Sequence, residues 1–179
     1  MRHKLSQLLA PCAFLLALAG CADVRPLYGT NGSTYSDSVS SQLADIEMPE
    51  PQSRIEQLIR NDLISSMSVA GAHGNGRFSL ALQPHESSQS AFIDTRSEVG
   101  RRVYQLSVTY ILTDKTTHQP IYQGKTFSNV SYDRITSEFA NMQAKTNAQE
   151  RAAGEVAQDI RTRLAAFFAD YNGGPVAIN

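Results

Sequence analysis

Few residues in this 179-residue chain have the types and spacing to do chemistry. Arg96, Arg101 and Arg102 gather around the start of one apolar-alternating stretch, and Lys125 lies on the stretch predicted to face it. A guanidinium fork suits bidentate binding of phosphate, so a local basic group could hold a phosphorylated lipid. Ordinary strand-end charge explains the same residues. Tyr104, Tyr110, Tyr122 and Tyr132 form a second set. Tyrosine serves interfaces because it is amphipathic with few rotatable bonds, though core or edge packing fits Tyr104 and Tyr110 equally well. His73, His85 and His118 fall in or beside predicted loops without metal-ligand spacing, so no metal site is expected. There is no G-x-S-x-G elbow and no phosphate-binding glycine pattern; Gly71, Gly74 and Gly76 read as a loop. The carboxylates fall mostly on outward helix faces, which argues against a glycosidase pair. The reading is a non-enzyme without cofactors.

One thiol has a context of its own. Arg2 and Lys4 precede an apolar run from Leu8 to Leu18, and Leu18-Ala19-Gly20 stands directly before Cys21. The run is too short for a permanent membrane span and reads as a secretory signal, residues 1–20. The four residues resemble the bacterial lipobox, which implies diacylglycerol on the Cys21 thiol, cleavage before it and acylation of the new amino terminus. Each buried methylene contributes ~0.8 kcal/mol, and more than one chain is needed for stable anchoring. Ala22, not Asp23, follows the cysteine, which leans toward the outer membrane, periplasmic side. Removing residues 1–20 from 179 leaves 159, enough for one domain with one core. Arg2 and Lys4 leave with the signal, so 14 basic face 17 acidic side chains, a net −3 that excludes a bulk-basic nucleic-acid binder. Cys12 also leaves, so no thiol remains for a disulfide or a metal.

These residues need elements to position them. Residues 21–41 are rich in Ser, Thr, Gly and Asn and read as a lipidated tether, interrupted by Arg25-Pro26-Leu27-Tyr28-Gly29 as a turn or a docking segment. A single domain is expected over 42–172, with a flexible tail over 173–179. Leu43 to Met48 predicts a strand, and Ser53 with Glu56 caps a helix over Gln52 to Ser68. Arg77 to Gln83 alternates as a strand ended by Pro84, and the polar stretch Glu86 to Gly100 reads as a long connection. Arg102 to Thr113 and Ile121 to Tyr132 predict an antiparallel pair. Glu138 to Tyr171 predicts a long helix with Ala148, Ala152, Val156, Ile160, Leu164 and Phe167 or Phe168 inward and Gly154 at the surface. The fold class is α+β: a two-layer sandwich of a four-stranded, mostly antiparallel sheet with two helices on one face, in the order β-α-β-β-β-α.

Taken together, the lipobox, Arg25-Pro26-Leu27-Tyr28-Gly29, the helix segment from Ile55 to Leu63, the strand Tyr104 to Tyr110 and the helix run Ala148 to Leu164 resemble the lipopolysaccharide-assembly lipoprotein family LptE in its alphaproteobacterial form. The resemblance covers nearly the whole mature chain. It implies a plug in the outer-membrane β-barrel LptD that supports barrel assembly and lipopolysaccharide insertion, with lipopolysaccharide bound by basic residues. Arg96, Arg101, Arg102 and Lys125 are the candidates for that role by charge and placement. The polar stretch Glu86 to Glu98 departs from the family pattern. An accessory lipoprotein of another envelope machine and a cell-wall-acting lipoprotein enzyme are the alternatives.

Overall fold

The computed structural model describes residues 34–67, 76–93 and 100–171. Cys21, Arg96, His73, the signal and the tail 173–179 lie outside the described residues. Helix α1 (Thr34–Ala44) leads into strand β1 (Ile46–Glu47) and helix α2 (Arg54–Met67). Strands β2 (Phe78–Ile93), β3 (Gly100–Asp114) and β4 (Gln119–Arg134) follow, and helix α3 (Glu138–Asp170) closes the order. The sheet runs β1-β2-β3-β4, with β1 parallel to β2 and the other pairs antiparallel. The expected α+β class and mostly antiparallel four-stranded sheet are therefore present.

Four expectations need correction. The expected tether extends to residue 41, but α1 begins at Thr34 and places Leu43 in the core, so the described helices number three. The first strand is only two residues long. Gly154 does not sit on an open surface: it is half-buried, and a Cβ built there would lie 3.6 Å from Asp62 Oδ2 of α2. The largest difference is β2, which does not stop at Gln83. It runs through Pro84 and the polar stretch to Ile93, paired rung by rung with β3 down to Gly100, with one irregularity between Ser90 and Phe92. Pro84 is tolerated because β1 pairs with β2 only at Phe78 and Ser79, leaving the rest of that side an edge among the described residues.

Local chemistry sets the helix starts. In α2, Ser53 Oγ accepts from Glu56 N at 3.2 Å while the Glu56 carboxylate accepts from Gln52 N at 2.8 Å. In α3, Ser137 Oγ accepts from Ala140 N. At ~1.5 Å per residue the 33 residues of α3 reach about 50 Å, the length of a 15-residue strand at ~3.3 Å per residue. One helix is therefore long enough to cover the sheet from end to end. Its Ala148, Ala152, Val156, Ile160, Leu164 and Phe168 are buried in one cluster with Leu106, Val108, Tyr110 and Leu112 of β3 and the apolar side of α2. Gly124 of β4 is required by packing: a Cβ there would overlap the Tyr110 hydroxyl and ring.

The two ends of the sheet differ. At one end Asp114 is buried and accepts from Arg77 Nη2 at 2.8 Å and from Thr116 N at 2.8 Å. Burial pushes its carboxyl up, but the Arg77 and Thr116 hydrogen bonds outweigh this and hold it below the usual range. Phe78, Phe168, Phe167 and Tyr171 pack there ring on ring, with Phe78 and Phe168 centroids 5.1 Å apart. At the other end β3 begins, β4 ends and α3 starts.

Candidate functional site

The period of two along a strand decides where the predicted basic residues go. Tyr104, Leu106 and Val108 point to the helices, so Arg102 shares their side and Arg101 takes the opposite, outer side. The two adjacent arginines therefore lie on opposite faces. Arg101 Nε donates to Asp133 Oδ1 of the facing rung at 3.2 Å. Lys125 is also on the outer face, but it pairs with Thr109, eight residues along β4 from Asp133, or about 26 Å. Arg101, Arg102 and Lys125 do not form one cluster, and Arg96 is outside the described residues.

Three of the four tyrosines are structural. Tyr104, Tyr110 and Tyr132 are buried, and Tyr122 is half-buried, stacked on Phe167 at 4.8 Å. Tyr104 Oη donates to Glu86 Oε2 at 2.6 Å, and Gln149 Nε2 donates to the same oxygen at 2.9 Å, tying β2, β3 and α3 together. Burial, then the Glu86 contact, pushes the Tyr104 phenol well above its ordinary range. His118 sits in the β3–β4 turn at φ 56°, whereas His85 stands exposed within β2 instead of in a loop. Among the described residues no group of three or more His, Cys, Asp or Glu could hold a metal ion. No described helix is long and apolar enough to cross a membrane.

Two features stand apart from the predicted basic residues; the first is new, and the second lies on the polar sheet face that the alternation of Gln105, Ser107 and Thr109 already points outward. The first is an apolar tip where β4 turns into α3. Ile135, Phe139 and Met142 are 43%, 68% and 58% exposed. Asn141 fixes this corner: its Oδ1 accepts from Ile135 N at 2.8 Å and its Nδ2 donates to Ile135 O at 2.8 Å. Arg134 stands beside it, paired with Glu138 at 3.3 Å. The Arg134 and Tyr132 rungs are neighbours on one face, which sets Arg134 near Arg102. A signal existed: the core stripe repeats every four residues from Ala148 to Phe168, and carried back it reaches Ala144 and Ala140, leaving Phe139 and Met142 off it. Large apolar side chains beside cations suit a ligand with apolar chains and anionic groups.

The second feature is the outer sheet face. Two neighbouring rungs cross three strands there: Ser87, Gln105 and Asn129 in one, His85, Ser107 and Phe127 in the next. They line a shallow depression of about 300 Å³. Ser87 Oγ donates to Gln105 Oε1 at 3.1 Å, and Phe127 is 72% exposed.

No family model matches the sequence. No curated relative matches it either. Solved structures do. The chain is similar to a protein of Caulobacter crescentus described as a lipoprotein, with 25% identity and a TM-score of 0.62, covering 75% of this chain and 98% of that one. A minor lipoprotein from Acinetobacter baumannii aligns at 17% identity and a TM-score of 0.48 over 68% of this chain and 89% of its own. The rare lipoprotein B from Shewanella oneidensis aligns at 10% identity and 0.48 over 68% and 92%. These structural neighbours are bacterial lipoproteins.

Proposed function

We propose that this chain is a non-enzymatic envelope lipoprotein, anchored through acylated Cys21 on the periplasmic side of the outer membrane, that plugs an LptD-type β-barrel and helps deliver lipopolysaccharide. The observation that carries this reading is the tip: exposed Ile135, Phe139 and Met142, with the Ile135 backbone pinned by Asn141, beside Arg134 and Arg102. Such a surface offers contacts for acyl chains and for lipid phosphates together. The wet outer sheet face suits the polar lumen of an outer-membrane barrel. Similarity to the Caulobacter crescentus lipoprotein supports the anchored-envelope part of the reading. Of the basic residues, Arg102 shares a ligand with Arg134 at the tip. Arg101 and Lys125 engage separate parts of the partner from the outer face. Seating in the barrel stabilises the assembled state by mass action.

The test is a detergent-solubilised pull-down with a C-terminal tag, followed by crosslinking at Arg101, Lys125 and Phe139. The expected result is a large β-barrel at equal stoichiometry. Recovery of an inner-membrane transporter would overturn the plug reading in favour of an accessory subunit of another envelope machine.

A further inference from the structure

We infer that the depression on the outer sheet face is a binding site for an uncharged, N-acetylated glycan of the cell-wall type. It lies on β2, β3 and β4 away from the apolar tip, and the inference does not rest on the plug reading.

The chemistry of the lining selects the ligand. No carboxylate and no lysine or arginine is among the lining residues, so an anionic or cationic ligand gains no ion pair there. Lys125 stands one same-face rung beyond Phe127, paired with Thr109, and is not among the lining residues. The lining instead supplies two primary amides, two hydroxyls, an imidazole and one aromatic ring. An aromatic side chain 72% exposed on a sheet face contributes little to the core, since the helices pack on the other side. Its ring offers an apolar surface for the C–H face of a pyranose. Beside it, Gln105 and Asn129 are direct cross-strand partners. Because Gln105 Oε1 already accepts from Ser87, its amide nitrogen is left to donate outward. A planar amide donor and acceptor pair matches the acetamido group of an N-acetylhexosamine, and Ser107 and His85 on the next rung match ring hydroxyls. Sheet rungs on one face repeat at about 7 Å and strands at about 4.8 Å, so the six groups are held at fixed spacings by the ladder itself. A neutral, preorganised surface of this kind favours a neutral glycan over a phosphorylated or carboxylated saccharide.

The experiment is calorimetric titration of the full chain, purified in detergent without a barrel so that the face is uncovered, with N,N′,N″-triacetylchitotriose. A parallel titration uses an anionic lipopolysaccharide core oligosaccharide. Saturable binding of the chitotriose alone is expected. Phe127→Ala should weaken it about tenfold and Gln105→Ala about fivefold. Phe127→Tyr, which keeps the ring, should preserve it. Both positions are on the solvated face, so circular dichroism should show the variants folded. Absence of chitotriose binding, binding of the anionic core alone, or a chitotriose affinity untouched by Phe127→Ala would each overturn the assignment. Failure here leaves the barrel pull-down unaffected, and failure of the pull-down leaves this titration unaffected.

Discussion

The two ends of the long sheet treat large apolar side chains in opposite ways. At the Asp114 end, Phe78, Phe168, Phe167 and Tyr171 are packed against one another, and the carboxylate between strand and turn is buried and paired. At the Ile135 end, side chains of similar size stand in solvent on a corner held by Asn141. The same sheet and the same helix run through both. The difference therefore comes from what each residue meets: Phe168 packs on the rings of Phe78 and Tyr171, whereas Phe139 stands largely exposed, and it separates residues that hold the fold from residues available to a partner.

The comparison breaks first under truncation. Phe168→Ala should cost about 3–5 kcal/mol of stability, read by denaturant unfolding, whereas Phe139→Ala should stay within about 0.5 kcal/mol. Equal losses would erase the distinction between the ends. Asp114→Asn should cost about 1–3 kcal/mol, a loss limited because Arg77 can still reach water. The pH dependence has a definite sign. Asp114 is held below its usual range when folded, so its contribution is present above the unfolded value near 3.8 and lost as pH falls through the folded one. Acid unfolding of Asp114→Asn should accordingly be shallower below about pH 4 than that of the parent chain. Asn141→Ala should cost about 1–2 kcal/mol through two lost hydrogen bonds to Ile135, measurable as a lower Tm. The smallest effect is a gain: Gly154→Ala should stabilise by up to about 1 kcal/mol, since its Cβ would make only ordinary contact with Asp62. A loss there would mean that α2 and α3 cannot accommodate a methyl group.

Elements stabilised by one-sided burial are readable from the sequence. The alternation Tyr104 to Leu112 and the α3 stripe carry their periods in the residue types themselves. The second half of β2 is not readable, because Glu86 to Ser90 is polar on both faces and is held by pairing with β3 rather than by burial. Helix α1 is hidden by a Ser-rich sequence whose core contribution rests on Leu43, with Val39 packed against it. The candidate basic cluster shows a different failure. Nearness in sequence is not nearness in space, and the period of two already separates Arg101 from Arg102. The tip is legible in principle, since Phe139 and Met142 depart from the stripe that defines the rest of α3.

The uncovered side of β2 has a further consequence. Among the described residues no strand pairs with it beyond Ser79, which leaves a ladder of backbone donors and acceptors of the kind that recruits strands from other chains. Pro84 interrupts that ladder, Glu86 adds charge, and the irregularity between Ser90 and Phe92 bends its far end. The proposed lipid anchor would confine molecules to two dimensions and raise their encounter frequency. On such a surface, a proline in an edge strand acts as a guard against polymerisation.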